Sequence, residues 1–227
     1  MEMDRRDFVL GATAGLIGAG GEILPTLAQA AGSTAPRPAA TPAAGSVDPR
    51  HVDRLRKVMV PLLQHMNHPL PLSRVRVGVL SDSRINAANG GAGEFYVTSG
   101  LLQRATDDQL RAVMGHETAH ADLGHVAKLK RLGAGLELGT ILLEQIFPRA
   151  QPLAPIAAQL VTNAYTRREE YAADRHGVEL LRRAGYDGKA LMVRTLAWLK
   201  QTEGESGGFF ATHPTTGDRI QAVQQMP

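Results

Sequence analysis

The chain has 227 residues, with 25 Lys and Arg against 22 Asp and Glu, for a formal net charge of +3. So small a basic excess, with aromatics at 4% and no run of Lys and Arg interleaved with them, excludes a nucleic-acid-binding footprint. The absence of cysteine excludes disulfides, thiolate catalysis and thiolate metal ligands, so any metal has to be held by His, Asp or Glu.

Residues 1–30 read as an export signal. The stretch carries adjacent Arg5 and Arg6, then a Gly- and Ala-rich apolar run with no polar face, then Ala28-Gln29-Ala30 as a small-x-small cleavage site. The pattern resembles a twin-arginine signal, with Phe8 and Val9 as the bulky apolar pair after the arginines. Asp4 stands where that pattern usually has Ser or Thr, and a general secretory signal is the alternative. Cleavage after Ala30 places the mature chain in the periplasm or outside the cell, and no cysteine follows that could carry a lipid anchor. Export of an already folded chain would let a metal site fill before crossing. Residues 31–49, "AGSTAPRPAATPAAGSVDP", have no apolar periodicity and read as a linker. Residues 50–227 then suffice for one domain with its own core.

Within that domain, "HVDRLRKVMVPLLQHM" is amphipathic and predicts a first helix, with His51, His65 and His68 as surface or packing residues. "SRVRVGVL" alternates Val75, Val77 and Val79 against Arg74, Arg76 and Gly78, which predicts a strand with one buried face. A Gly-rich turn at 90–93 leads to a second strand in "EFYVTSG". If that strand edges a cleft, an extended peptide could pair with its backbone and be selected only loosely by sequence.

"TDDQLRAVMGHETAHADLGH" opens with Thr106 and Gln109 spaced as a capping box and with Asp107 and Asp108 suited to a helix start. Leu110, Val113 and Met114 mark an apolar face, and Lys128, Lys130 and Arg131 before Gly133 suit the helix end. On such a helix His116 and His120, four apart, aim imidazole nitrogens at one metal, while Glu117 stands beside it as a general base. Chance placement yields His-Glu-x-x-His roughly one time in seventy in such a chain, so the pattern needs a third ligand to support it. The bland alternative is a pair of core histidines with Glu117 as an ion-pair partner. The apolar run "LGAGLELGTILLEQIF" is interrupted by Glu137 and Glu144, too short and too charged to span a membrane, and predicts a packed helix. Pro148, Pro152 and Pro155 follow it as breaks.

"TRREEYAADRHGVELLRRAG" predicts a helix closed by Gly185. Glu170 and Asp174 form a like-charge pair one turn apart, which is unfavourable on a solvated helix and explicable in a metal site. Glu170 would be the third ligand, and Asp174 would accept a hydrogen bond from a ligand histidine and fix its tautomer. Arg167 and Arg168 would neutralise Glu169 on a solvated face. His125, five residues after His120, rotates off the metal face of a continuous helix, and His176 lies two after Asp174; neither reads as a ligand. Composition alone makes His213 a surface loop residue.

Taken with "INAANGGAGEFYVTSGLL" and "THPTTGDRI", the "HETAH" and "EYAAD" motifs resemble the HtpX, Oma-type and CAAX-prenyl-endoprotease family of zinc metallopeptidases, a gluzincin group. The likeness covers residues 50–222. It implies an α+β, mostly helical domain with a small antiparallel sheet beside the His-Glu-x-x-His helix. It also implies one Zn2+ per chain held by His116, His120 and Glu170, Glu117 as the catalytic glutamate, and Asp174 as the aspartate behind the ligands. It raises His213 to a site residue that either steadies the oxyanion or occupies the metal's open position at rest. Asn86 and Ala87 match a structural position ahead of the second strand. Integral members of that family carry transmembrane helices, which are not evident here. The expected function is a zinc endopeptidase acting on misfolded or unassembled envelope proteins in extended form. A metal-stabilised chaperone or assembly factor with a latent site is the alternative, and a zinc hydrolase of non-peptide substrates would use the same ligands.

Overall fold

Thr106 and Gln109 do start a helix, and the rest of the domain is arranged around it. The structure is a computed structural model that describes residues 9–11, 48–131, 165–204, 206–214 and 217–227. Helix α1 (Pro49–Gln64) begins at Asp48, whose side chain accepts from Arg50 N, and turns Leu55, Val58, Met59, Leu62 and Leu63 into the core. Helix α2 (Ser99–Arg104) is short and capped by Thr98. Helix α3 (Asp107–Asp122) has the predicted reciprocal capping box, and every residue from Leu110 to His120 on it is buried. The expected one-sided apolar face is therefore an all-round burial: α3 packs on α1, on strand β3 (Ala87–Gly91), and on helices α5 (Arg167–Arg183) and α6 (Gly188–Glu203).

The helix does not run on to Gly133 as its basic residues suggested. It ends at Asp122, Gly124 takes a positive φ of 66°, and helix α4 (His125–Arg131) starts in a new direction. On α5, Thr166 caps the start in a second capping box with Glu169, and Gly185 follows the end with φ 87°. Closest approach of α3 and α5 is made by two glycines: a Cβ on Gly177 would lie 3.3 Å from the Gly115 backbone and 3.0 Å from Met192 Cε. Helix α7 (Gly217–Gln224) closes the chain against α5 and α6, after a short 3-10 turn at Gly208–Ala211 that buries Phe209 and Phe210.

The sheet is mixed, not antiparallel. Its order is β1 (Val9–Gly11), β2 (Arg76–Leu80), β4 (Glu94–Thr98), β3, with β1–β2 and β2–β4 parallel and β3–β4 antiparallel. Strand β4, expected to edge the cleft, is interior; the terminal strand next to α3 is β3. The sequence gives β3 little strand character because Ala-Ala-Asn-Gly-Gly lacks β-branched and aromatic residues. Those small residues fit beneath the Tyr96 ring, which a Cβ on Gly90 would approach to 2.9 Å and one on Gly78 to 2.8 Å. A bulge at Asn89–Gly91, with Asn89 Oδ1 accepting from Gly91 N at 2.9 Å, leads into the tight turn to β4. Strand β1 lies within the segment expected to be removed on export, so β2 would become an edge in a chain cut after Ala30. The arginine pair, the cleavage site, the linker to residue 47, the apolar run after Arg131 and its following prolines lie outside the described residues. No described helix is long and apolar enough to cross a membrane.

Candidate metal centre

Three separate pieces of chain meet at the inner end of α3. His116, Glu117 and His120 come from α3, Glu170 and Asp174 from α5, and His213 from the loop between the 3-10 turn and α7. All six are buried. Nitrogen or oxygen atoms of His116, His120, Glu170 and His213 lie within 4.8 Å of one another, the only such group among the described residues.

Outer partners fix which histidine nitrogens face inward. His116 Nδ1 is 2.9 Å from Asp174 Oδ1, so Nδ1 carries a proton and donates it to the carboxylate, which turns Nε2 inward. His120 Nδ1 lies 2.8 Å from His125 Nδ1, and the His120 ring stacks on Tyr165 with centroids 3.7 Å apart. The two Nε2 atoms then face each other at 2.9 Å, close enough to share one proton or to meet at one cation. Glu170 completes the ring, with Oε1 3.4 Å from His120 Nε2 and Oε2 3.5 Å from His116 Nε2. His213, stacked on Phe209, places Nδ1 3.1 Å from Glu170 Oε1 and Nε2 3.3 Å from Glu117 Oε1.

Charge gives a second test of fit. Glu117, Glu170 and Asp174 are three buried carboxyls, and the one fixed positive charge among them is Arg219, itself 0% exposed. Fully ionised, the group carries two uncompensated negative charges, which a divalent ion would neutralise. Both Glu117 oxygens are buried without a hydrogen-bond partner among the described residues. Burial pushes the Glu117 carboxyl up to about 7, with the Glu170 charge adding to the effect and His213 opposing it. Burial alone would also raise Glu170 and Asp174. The charges of His213 and Arg219 outweigh it at Glu170, and Arg219 outweighs it at Asp174, so both stay below the usual carboxylate range. Burial and the His116 charge lower His120, whereas at His116 the carboxylates of Asp174 and Glu170 overcome burial and raise it. The nitrogen and carboxylate donor set, with no sulfur, suits a borderline divalent metal.

The chain brings together every residue that the sequence assigned to the site, moves two that the sequence had set aside, and buries His213, which composition alone put on the surface and the family resemblance put in the site. His125 does not ligate, but the break at Gly124 swings it back beneath His120 as its hydrogen-bond partner. Glu169 is not solvated among arginines: it is 5% exposed, closes the capping box with Thr166 and pairs with Lys128 at 2.7 Å. His213 is no surface residue, being 1% exposed. His176 stays outside the donor set, bonded to Asp122 at 2.6 Å. Arg219 and Tyr165 were missed. A surplus of carboxylates in the motifs, with "GDRI" following His213, is the signal that pointed to a buried cation; Tyr165 carries no comparable signal.

The chain is 30% identical over 149 residues to metalloprotease LoiP of Escherichia coli, covering 62% of this chain and 58% of that protein. It is 27% identical over 187 residues to a protease HtpX homolog of Bacillus licheniformis, covering 65% and 62%. It is also 30% identical over 184 residues to the putative beta-barrel assembly-enhancing protease of Vibrio cholerae, covering 75% and 37%. The chain thus spans less than two thirds of the length of each of these relatives. A model of one family, Peptidase family M48, matches residues 49–227, the whole domain around the cluster, and the chain belongs to that family.

Proposed function

We propose that the protein is a zinc-dependent metalloendopeptidase of extended polypeptide chains. The observation that carries this reading is the pair of buried histidine Nε2 atoms facing at 2.9 Å, with His116 held from its far side by Asp174 and the pair closed by a buried glutamate. His116, His120 and Glu170 would hold the ion, which supplies Lewis acidity at the scissile carbonyl and lowers the pKa of the attacking water. Glu117 takes the proton from that water and hands it to the leaving amine. A carboxyl near 7 is suited to accept and then release a proton close to neutral pH. Asn89 of β3 lies beside Glu117, where its backbone N–H, short of a hydrogen bond, favours the ionised carboxylate. Edge strand β3 is therefore the one against which a substrate would extend, its backbone pairing and its side chains read only loosely. Of the two roles considered for His213, its placement supports a fourth donor at rest, because its Nδ1 lies as close to Glu170 as the His116 and His120 nitrogens do. In that role the ring would have to turn aside for a water to enter.

The name of the Vibrio cholerae relative supports envelope proteins, misfolded or unassembled, as the substrate class. Arg5, Arg6 and the Ala28–Ala30 site support export by the twin-arginine route to the periplasm. Replacing both arginines with lysine should hold the precursor in the cytoplasm; mature protein starting at Ala31 in normal amount outside it would refute the route.

The activity is tested with purified protein and unfolded casein. Cleavage should stop on chelation and return with zinc, and Glu117→Gln should lose at least about a hundredfold in rate while keeping its zinc. Unchanged cleavage after chelation, or by Glu117→Gln, would overturn the metallopeptidase reading.

A further inference from the structure

Arg219 reaches across much of the site, although it offers nothing to a metal. Its Nε and Nη2 donate to Asp174 Oδ2 and Oδ1, each at 2.7 Å, in a two-pronged pair. Its Nη1 forms an ion pair with Glu170 Oε2 at 2.6 Å and donates to the His213 carbonyl at 3.3 Å. Asp174 in turn holds His116 through Nδ1. One guanidinium is therefore tied to three of the four donor residues: Glu170 by its carboxylate, His116 through Asp174, and His213 by its backbone. Only His120, backed by His125 and Tyr165, is independent of it.

We propose that Arg219 is a positioning residue that assembles the donor set before the metal arrives. Glu170 and Asp174 are like charges one turn apart on α5, and without a cation between them they would turn away from each other. A divalent ion could bridge them only after binding. A fixed guanidinium does so beforehand, so the ion meets ligands already aimed, and less of its binding free energy goes into ordering them. Lysine cannot replace it, since a single ammonium does not span two carboxylates and a carbonyl in one plane.

Coulomb's law alone makes the opposite prediction, which gives the test its sign. A positive charge in contact with a ligand of a cation repels that cation, so on charge alone Arg219→Gln should bind zinc more tightly and Arg219→Lys equally well. Prepositioning requires both to bind more weakly. The inference rests on the zinc reading above, and the measurement separates the two. Zinc dissociation constants are obtained by chelator competition for the full chain, with helicity and thermal melting of the metal-free forms recorded alongside. Wild type should bind tightly, and folded Arg219→Gln and Arg219→Lys at least tenfold more weakly. A folded Arg219→Gln that binds as tightly as wild type or more so would overturn the proposal and leave the zinc reading intact; wild type that does not bind zinc would overturn the zinc reading itself. If the single variants do not fold, Asp174→Asn with Arg219→Gln removes the buried charges as a pair. That double variant should bind zinc more weakly than Asp174→Asn alone, and equal or tighter binding would overturn the proposal.

Discussion

Helices α3 and α5 are linked by histidine and carboxylate side chains at two places. At the inner one, His116 and His120 meet Glu170 and Asp174. At the outer one, Asp122 at the end of α3 accepts from His176 Nε2 on α5 at 2.6 Å, from Asn67 N at 2.7 Å and from His68 N at 2.8 Å, with His68 Nδ1 a further 3.2 Å contact. The residue types are the same and both carboxylates are buried, so composition does not tell them apart. What differs is who is satisfied. The Asp122 oxygens have all the donors they can use, and the group is complete as a structural clasp. In the inner cluster two histidine nitrogens and a carboxylate converge on one point, and neither Glu117 oxygen has a hydrogen bond. A site built to hold something else is recognised by the partners it withholds from its own atoms.

The comparison is sharpened most by Glu170→Gln. It trades an anionic oxygen donor for a neutral amide, and zinc affinity should fall by two orders of magnitude or so, with peptidase activity following it. Glu169→Gln, one residue and about 100° around the helix, should keep its zinc, because Glu169 faces Lys128 and its own cap. Metal analysis of the two variants decides it, and equal zinc in both would place the third ligand elsewhere. A smaller effect is expected at the clasp: Asp122→Asn should cost about 2 kcal/mol in stability with no change in zinc content. Its dependence on pH follows from the sign of the shift. Burial raises the Asp122 carboxyl, but the His176, Asn67 and His68 donors outweigh it, so its pKa is lower folded than unfolded. The stability it contributes is present above the ordinary aspartate value and disappears as pH falls through the lowered one. The melting difference between wild type and Asp122→Asn should be constant above about pH 5 and shrink in stronger acid. A difference that grew in acid, or zinc loss at neutral pH, would mean that the two clusters are not separate.

The inner cluster was legible wherever local chemistry speaks for itself. Thr106 with Gln109, and the four-residue spacing of His116 and His120, are read from single turns of helix. Glu170 with Asp174 was legible as an anomaly, a repulsion that only a cation explains. What failed was whatever a distant part of the chain decides. Strand β3 owes its conformation to pairing with β4 and to the Tyr96 ring, neither visible in Ala-Ala-Asn-Gly-Gly. The basic residues from Lys128 to Arg131 lie on α4 and not on α3, and nothing before Gly124 announces the break that brings His125 under His120. Glu169 looked solvated because its arginine neighbours are; its burial depends on Lys128, 41 positions away. Arg219 needed the fold to bring α7 against α5.

The glycine pair between α3 and α5 gives the metal site a built-in gauge. Two candidate ligands ride on one helix and one on the other, so the separation of the helices at Gly115 and Gly177 bears on how far apart those ligands stand. A methyl group on Gly177 would stand 3.3 Å from the Gly115 backbone and 3.0 Å from Met192, closer than side chains comfortably pack, and a few tenths of an ångström would have to be found by moving apart. Bond lengths that distinguish one divalent ion from another differ by about the same amount, roughly 0.2 Å. Two residues that have no side chains at all would thus bear on which ion the candidate site accepts.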